Sequence, residues 1–269
     1  MRPLSIPKNI SRFIDIEAGK LELARQASIA YNSNFSTTPE VSIVIPAYNE
    51  EDSIVSTLSS LCMNKVNRSF EIIVVNNNSV DKTEELSAAC GVTVIQEKKQ
   101  GITNARNTGL TIAKGKYILN ADSDTIYPEN WIELMVKPLI ENQKVAITYG
   151  RFALIPSENA NRFFYFFYEY VAELSRLYNK KFYDEAVNVY GFNSGFRKQQ
   201  AIDVDKFNHP EGTNEDGFLA KKLREKGFGK LHCVTEDKAM VWTSDRRIQI
   251  DGGIIKGSKK RIKRIFGIG

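Results

Sequence analysis

The sequence contains few of the residues that bind soft metals. Its three cysteines, Cys62, Cys90 and Cys233, are scattered, odd in number and without a CxxC pair. This pattern argues against a disulfide framework or a zinc site and fits a reducing cytoplasm. Two histidines in 269 residues exclude a histidine-rich metal site. Any bound metal must therefore be held mainly by carboxylates, which favours Mg²⁺ or Mn²⁺.

The sequence also lacks a long apolar run. No stretch approaches the ~20 apolar residues that span a bilayer, and residues 1–7 hold no apolar stretch long enough for a secretory signal. The composition is otherwise ordinary for a soluble globular chain, with 42% hydrophobic and 26% charged residues. We therefore expect a cytoplasmic protein with a sizeable core.

The net charge of +5 is concentrated near the C-terminus. Six basic residues follow the last acidic one: Lys256, Lys259, Lys260, Arg261, Lys263 and Arg264. Because the rest of the chain is close to neutral, a nucleic-acid-binding surface is not expected. The basic tail is either a solvated segment or a peripheral contact with anionic lipid at the inner face of the membrane. In the second interpretation, residues 256–266 contact the lipid, because Ile262, Ile265 and Phe266 are interleaved with the basic residues.

Strand and helix patterns alternate from Val41 to Asn142. The predicted strands are Val41–Pro46, Phe70–Val75, Val92–Ile95 and Lys116–Asp122, and the predicted helices are Glu51–Cys62, Asp81–Cys90, Ile102–Ala113 and Trp131–Asn142. This rhythm predicts an α/β fold with a mostly parallel sheet flanked by helices. Ligands bind beyond the carboxyl ends of the strands in such sheets. Four segments should therefore meet there: Ala47–Glu50, Asn76–Asp81, Lys98–Gly101 and Asp122–Asp124.

The chain divides into three predicted parts. Residues 1–40 form a helical extension and linker, with the helix interrupted at Gly19, and residues 251–269 form the basic tail. Residues 41–250 form the main domain, with a nucleotide-binding half (41–130) and an acceptor half (131–250).

The second half of the main domain is less regular. It contains a predicted helix at Asp216–Lys226, a glycine-bounded loop at Gly191–Gly195 and a short strand at residues 239–242. A further helix, Phe163–Tyr178, is rich in aromatic residues. That helix either packs in the core or lines an apolar acceptor groove or bilayer contact.

Asp122 and Asp124 follow the fourth predicted strand with one residue between them. Two carboxylates in one turn can both face a hard cation, which often keeps phosphate oxygens as further ligands. Such a metal neutralises charge on a leaving diphosphate. A solvated acidic turn is the competing interpretation, and a position at the end of a buried strand favours the metal site.

Several segments taken together resemble family 2 glycosyltransferases, which have the GT-A fold and invert the anomeric centre. Ile43-Val44-Ile45-Pro46-Ala47-Tyr48-Asn49-Glu50-Glu51 is similar to the opening strand and first nucleotide loop of that family. Val74-Val75-Asn76-Asn77-Asn78-Ser79-Val80-Asp81-Lys82-Thr83 is similar to the second nucleotide loop, and Gln100-Gly101-Ile102-Thr103-Asn104-Ala105-Arg106-Asn107-Thr108-Gly109 to the motif ahead of the DxD. The order and spacing agree over residues 41–130.

The resemblance implies a donor site for a nucleotide sugar. The donor-binding residues it implies are Pro46, Tyr48, Glu50, Asn76, Asn77, Gly101, Arg106 and Asp122. Asn76 and Asn77 stand where many members have aspartates that read uracil. An amide can bond to uracil and to other bases, and UDP stays the leading candidate. Arg106 either supports the diphosphate or pairs with a local acid.

The resemblance also implies acceptor-side residues. Glu215 and Asp216 match the family's ED motif, which makes Asp216 the candidate general base and Glu215 an acceptor contact. An acidic helix start favoured by the helix dipole is the alternative. Asn193, Ser194 and Gly195 match the loop below the acceptor site. Late in the chain, Arg246 and Arg247 either meet phosphate or form surface ion pairs.

The sequence therefore predicts a transferase that moves a sugar to the hydroxyl of a saccharide or lipid-linked saccharide in cell-surface polysaccharide or glycolipid synthesis. A sugar-phosphate nucleotidyltransferase would need a glycine-rich basic loop after the first strand, where this chain has Ala47-Tyr48-Asn49-Glu50. A non-catalytic sugar-nucleotide-binding protein would not need the acidic motifs.

Overall fold

The structure is a computed structural model that describes residues 2–14, 16, 19–33, 35–156, 161–250 and 256. The strands are β1 Val41–Ala47, β2 Phe70–Asn76, β3 Thr93–Gln96, β4 Tyr117–Asn120, β5 Thr125–Ile126, β6 Val145–Gly150, β7 Phe152–Ile155, β8 Ser194–Arg197, β9 Lys230–Val234 and β10 Val241–Ser244. The α-helices are α1 Lys8–Ser11, α2 Lys20–Asn32, α3 Ile54–Cys62, α4 Thr83–Ala89, α5 Ile102–Ile112, α6 Trp131–Glu141, α7 Arg162–Phe182, α8 Lys198–Asp203, α9 Glu215–Glu225 and α10 Arg246–Ile250.

The main sheet has seven strands in the order β3-β2-β1-β4-β8-β6-β9. The pairs β3–β2, β2–β1, β1–β4 and β6–β9 are parallel. Strands β1 and β2 are buried almost throughout, because their β-branched runs are covered by helices on both faces. The predicted α/β class with a mostly parallel sheet is confirmed.

The predicted loop at Gly191–Gly195 is only partly a loop. Strand β8 begins at Ser194 and runs antiparallel to both β4 and β6, so it joins the two parallel parts of the sheet. A Cβ on Gly195 would come within 2.5 Å of the Leu119 side chain. Glycine at this position therefore allows β8 to pack beside β4.

A second sheet of three strands, β5-β10-β7, lies at the carboxyl ends of the main sheet. It is made of elements that the sequence patterns identified only in part, since a strand was predicted at residues 239–242 and β10 spans Val241–Ser244. In this sheet Thr243 pairs with Thr125, the residue after Asp124. The second sheet therefore brings the late part of the chain to the acidic turn.

The N-terminal helices pack against the same core as the sheet. Helix α2 begins directly after Gly19, where the sequence predicted an interruption, whereas α1 ends at Ser11, eight residues before it. Ile10, Leu23 and Tyr31 are buried in the main cluster, and the Tyr31 hydroxyl accepts a hydrogen bond from the Ile72 backbone N–H. The three-part division of the chain stays a prediction, and the basic tail lies outside the described residues except for Lys256. No helix in the described ranges is both long and apolar enough to cross a bilayer.

Candidate active site

A cleft of about 790 Å³ opens at the carboxyl ends of the main-sheet strands. Its lining residues include Pro46, Tyr48, Glu50, Asn77, Gln100, Gly101, Ile102, Asp122, Asp124, Phe152, Leu154, Tyr168, Tyr190, Phe192, Asn214, Ser244, Arg246 and Ile248. All four predicted segments contribute to this lining, and Lys98–Gly101 does so through Gln100 and Gly101. The size of the cleft is in the range of sites for small molecules and cofactors.

Asparagine side chains hold the donor-side loops together. The Asn77 Nδ2 donates to the Glu97 and Lys99 carbonyls at 2.8 and 2.9 Å, and its Oδ1 accepts from the Gly101 N–H at 2.8 Å. Asn76 is only 2% exposed and bonds to Glu84 and to the Ser79 N–H. The structure therefore brings Asn77 to the cleft as a loop brace and turns Asn76 toward α4. Asn76 is not among the residues that line the cleft, and its contact with a base stays a prediction.

The nucleotide side of the cleft has one exposed ring and one buried carboxylate. Tyr48 is 52% exposed, so its ring is available to a flat ligand. Glu50 is 8% exposed and accepts hydrogen bonds from Ser53 at 2.8 Å and from Arg246 at 2.5 Å. Pro46 also lines the cleft. These three predicted residues lie together, with Glu50 already engaged in an ion pair.

Asp122 and Asp124 both line the cleft beyond β4. Asp122 Oδ1 accepts from Arg106 at 2.6 Å, and its backbone N–H donates to the Tyr127 hydroxyl at 2.9 Å. Asp124 Oδ2 accepts from the Ser244 hydroxyl at 2.5 Å and is 3.4 Å from Arg246. The two side chains keep 32% and 19% exposure, respectively. The second sheet therefore orients Asp124, and Arg106 orients Asp122.

The donor set of this turn fits a hard divalent cation. The ligands on offer are two carboxylates, and the described residues contain no group of three His, Cys, Asp or Glu side chains that could enclose a metal. Mg²⁺ and Mn²⁺ sites of this kind complete their coordination with phosphate oxygens and water. Asp122 and Asp124 are therefore suited to a metal that is shared with a diphosphate.

Arg106 lies fully buried behind the acidic turn. Its Nη1 donates to the Ala121 and Val44 carbonyls at 3.1 and 3.3 Å, while Nη2 binds Asp122. Burial would lower the pKa of Arg106, but the carboxylates of Asp216 and Asp122 raise it on balance. Of the two predicted roles, the structure displays pairing with a local acid. Arg106 does not line the cleft surface.

Glu215 and Asp216 form the first turn of α9, which Asn214 caps through a bond from the Gly217 N–H. Asp216 is 3% exposed, and its Oδ1 has no hydrogen-bond partner among the described residues. Burial raises the pKa of Asp216, while the Arg106 guanidinium opposes that rise. The carboxyl is therefore poised to bind a proton more readily than an exposed aspartate.

The absence of a side chain at Gly191 allows the charged groups of Arg106 and Asp216 to lie close to each other. A Cβ there would clash with both Arg106 Nη2 and Asp216 Oδ2. Arg106 therefore lies close to two acidic segments. It binds Asp122 in the turn after β4, and it lies near Asp216 at the start of α9.

Asn193, Ser194 and Gly195 lie beneath the cleft. Asn193 is 1% exposed and bonds to the Trp131 indole N–H at 2.8 Å, and Ser194 accepts from Asn120 at 3.2 Å. In the described structure none of the three lines the cleft. In this arrangement they support the structure beneath the cleft, and their acceptor contact stays a prediction.

One wall of the cleft is aromatic, and the sequence patterns did not identify it. The Tyr190 and Phe192 rings are stacked with centroids 5.3 Å apart, and Phe152 packs edge-on against both. The Phe192 carbonyl accepts from the Tyr127 hydroxyl, which ties this wall to the acidic turn. The aromatic residues on either side of Gly191, in Tyr190-Gly191-Phe192, are the sequence feature that could have indicated this wall.

Arg246 forms an ion pair inside the cleft. Its guanidinium bridges Glu50, which follows β1, and Asp124, which follows β4. The sequence left phosphate contact and surface pairing open for this residue, and the structure shows pairing within the cleft. The side chain of Arg247 lies outside the described part.

Comparison with known proteins places the chain among sugar transferases. The model of the family described as "Glycosyl transferase family 2" matches residues 42–203, which is more than half of the chain. Glycosyltransferase GlyA of Streptococcus pneumoniae serotype 4 is 24% identical over 68% of the chain and 28% of the relative. An Escherichia coli protein named "UDP-Glc:alpha-D-GlcNAc-diphosphoundecaprenol beta-1,3-glucosyltransferase WfgD" is 31% identical over 43% of the chain and 46% of the relative. The matched part spans less than half of the length of each of these relatives.

Solved structures share the fold. Glucosyl-3-phosphoglycerate synthase from Mycobacterium tuberculosis, in complex with Mn²⁺, UDP and phosphoglyceric acid, superposes with a TM-score of 0.56 at 18% identity, over 90% of this chain and 82% of that one. Staphylococcus aureus TarS 1–349, in complex with UDP-GlcNAc, gives 0.57 at 18% identity over 76% and 58%. The fold is therefore the GT-A fold that the resemblance implied.

Proposed function

Since the chain belongs to glycosyl transferase family 2, we propose that it transfers a sugar, with inversion, from a nucleoside-diphosphate donor to a hydroxyl acceptor. A UDP-sugar is the first candidate donor. The observation that carries this proposal is the cluster in which Arg106 lies between the carboxylates of Asp122 and Asp216. One carboxylate faces the diphosphate side, and the other can serve the acceptor.

The donor side binds and orients the nucleotide. Tyr48 offers an exposed ring for the base, and Asn77 fixes the loops that frame it. Asp122 and Asp124 would hold Mn²⁺ or Mg²⁺, which neutralises negative charge on a diphosphate leaving group when it is bound. Arg246 becomes available to a phosphate when it leaves Glu50, because guanidinium groups match phosphate geometry.

The acceptor side removes a proton. The acceptor hydroxyl must lose its proton as it attacks the anomeric carbon, and Asp216 accepts that proton on a carboxylate oxygen. The Arg106 guanidinium favours the ionised form of Asp216, which a base requires. Attack from the side opposite to the leaving diphosphate gives inversion. Glu215, at the same helix start, is the candidate for contact with the acceptor.

We also propose a saccharide or lipid-linked saccharide as the acceptor. WfgD is named for transfer to a diphosphoundecaprenol-linked sugar, which supports this choice. The aromatic wall of Phe152, Tyr190 and Phe192 supports it as well, because aromatic faces suit sugar rings and apolar chains. The process served would be cell-surface polysaccharide or glycolipid synthesis.

Thermal unfolding in the presence of nucleotide sugars tests the proposed donor. A UDP-sugar with Mn²⁺ at about 100 times its Kd should stabilise the protein by about 2.7 kcal/mol, or roughly 5–10 °C in Tm. The metal-dependent part of this shift should disappear in the Asp124→Asn variant, since one of two carboxylate ligands is lost.

Release of UDP in the presence of an acceptor separates the competing functions. A transferase releases UDP, a nucleotidyltransferase instead forms the nucleotide sugar and pyrophosphate, and a binding protein shows the thermal shift alone. Pyrophosphate release from a nucleoside triphosphate and a sugar phosphate would contradict the proposal.

We propose, in addition, that the basic tail brings the protein to the inner face of the membrane. Each basic residue near an anionic surface contributes about 1 kcal/mol, so removal of residues 256–269 should weaken binding to anionic vesicles strongly at low salt. Flotation of both forms with vesicles measures this. Equal flotation of the full and shortened chains would remove the tail from the proposal.

A further inference from the structure

Helix α7 presents an apolar outer face. Six large apolar side chains along it are between 41% and 61% exposed: Phe163, Phe164, Phe167, Tyr170, Leu174 and Leu177. Five of them recur at alternating spacings of four and three residues, which places them on one side of the helix. The outer side of a surface helix normally carries polar residues. A continuous exposed apolar stripe of this length marks a contact with another phase or molecule.

The inner face of α7 is already occupied. Tyr165, Tyr168 and Ala172 are buried, and Tyr165 and Tyr168 form a small core with Leu154. The Tyr165 hydroxyl also accepts a hydrogen bond from the Gln249 side chain at 2.9 Å. The two faces of the helix therefore differ, since Tyr165 and Tyr168 build the core while Phe163, Phe164 and Phe167 face outward.

Helix α10 lies beside α7 at the end of the described range 161–250. Ile248 of α10 packs against the cluster of Leu154, Tyr165 and Tyr168. Ile250 ends α10, and the first cation of the basic tail, Lys256, comes six residues later, within about 20 Å of extended chain. Two exposed lysines, Lys180 and Lys181, also lie in the last turn of α7. Positive charge is therefore tethered next to an apolar face.

These observations select an anionic lipid surface as the partner. Aromatic and leucine side chains on one side of a helix, with cations nearby, form the pattern of a helix that lies in the headgroup–acyl boundary. A second copy of this chain would bring two tails of six cations together without neutralising them. Anionic headgroups neutralise the same cations. We propose that the outer face of α7 lies in the surface of an anionic bilayer, and that the basic tail strengthens this contact.

This contact sets the orientation of the cleft. Tyr168, on the inner side of α7, lines the cleft. Phe167, the residue before it, and Tyr170, two residues after it, face outward. The acceptor side of the cleft would then open beside the bilayer. The inference rests on the structure of α7 and does not depend on which sugar is transferred.

Flotation of the full chain with vesicles of phosphatidylcholine and phosphatidylglycerol tests the proposal. The triple variant Phe163→Ser/Phe167→Ser/Leu174→Ser should lower the partition coefficient about tenfold or more, since each side chain loses apolar burial in the bilayer. The matched control is Leu21→Ser/Ile29→Ser on α2, where both side chains are also exposed. The control should float like the original protein.

High salt separates the electrostatic contribution of the basic tail from the apolar contribution of α7. At about 1 M salt the attraction of the tail is screened to roughly 3 Å, and the fraction that still floats should depend on α7. Flotation of the triple variant equal to that of the original chain would overturn the proposal. So would a dimer in solution that the triple variant dissociates while vesicle binding is unchanged, because α7 would then bind a second copy. UDP release with a soluble acceptor should be unchanged in the triple variant, which keeps this test independent of the proposed activity.

Discussion

Asp216→Asn should lower the rate of sugar transfer by roughly 10²–10⁴-fold, the usual contribution of a positioned general base, without weakening donor binding. The amide cannot accept the proton of the acceptor hydroxyl, yet it has almost the same volume and can stay beside Arg106. Because Asp216 is 3% exposed and is not among the residues that line the cleft, the nucleotide contacts should persist. UDP release under saturating donor, together with the thermal shift by UDP and Mn²⁺, measures the two effects separately.

The direction in which Asp216→Asn changes the free energy of unfolding can also be predicted. Burial raises the pKa of Asp216 in the folded protein above its unfolded value. The folded state therefore holds the proton of this carboxyl more tightly than the unfolded state does. As a result, the carboxyl lowers the free energy of unfolding increasingly as pH rises from the unfolded pKa through the folded pKa. Asp216→Asn should therefore be at least as stable as the original protein at neutral pH. A loss of activity accompanied by loss of stability would indicate a structural role instead.

Glu215→Gln provides the matched control for the same helix turn. Glu215 has a similar position and 9% exposure, but its proposed role is acceptor contact. The change should act more on the acceptor KM than on kcat. Full activity of Asp216→Asn would remove this residue from the mechanism.

The sequence predicted the parts of the site that lie at strand ends. Strand β4 and the turn that follows it are local features, because the buried run Tyr117-Ile118-Leu119 fixes where Asp122 and Asp124 emerge. The helix starts at Ile102 and Glu215 are equally local and were placed within a residue. Arg106 could be assigned to α5 but not to a partner, because its bond to Asp122 depends on how α5 packs against the sheet.

Contacts between distant segments were not predictable from local patterns. Asn193 has a polar side chain in a glycine-bounded segment, which is typical of a ligand loop, yet the antiparallel strand β8 carries it beneath the cleft. Arg246 reaches Glu50 across nearly two hundred residues, because β10 inserts between β5 and β7. The aromatic residues of α7 divide between core and surface, since the side that each one faces follows from helix packing and not from composition.

Arg106→Gln should destabilise the protein by about 3–5 kcal/mol at neutral pH, the effect of removing one partner of a buried ion pair. Arg106 is completely buried, and its loss leaves Asp122 without the counter-ion that binds it and the Ala121 carbonyl without the guanidinium donor. The Val44 carbonyl loses the same donor but keeps its hydrogen bond from the Ala121 N–H. Urea unfolding measures the free energy. Metal-dependent UDP binding should also weaken, because Asp122 loses the bond that orients it.

The pH dependence distinguishes this charge effect from a simple cavity. Burial raises the pKa of Asp122 and of Asp216, and in both cases Arg106 opposes the rise. Without Arg106 both folded-state pKa values should rise further above the unfolded values. The stability loss should therefore grow from pH 5 toward pH 8. The unfolded carboxyls are ionised throughout this range, the folded carboxyl of Asp216, with a pKa of about 7, ionises within it in the original protein, and in the variant the folded carboxyls hold their protons to higher pH.

Arg197→Gln is the control for this experiment. Arg197 is also buried, at 6% exposure, but it donates to the backbone carbonyls of Val145, Leu139 and Asn142. Burial lowers the pKa of Arg197, and Tyr117 is the group that opposes this, so no carboxyl that titrates between about pH 5 and 8 responds to its loss. Its substitution should destabilise the protein equally across that range. A parallel pH dependence in the two variants would show that Arg106 acts by filling space, whereas a steeper loss for Arg106→Gln identifies it as the counter-ion of the acidic cluster.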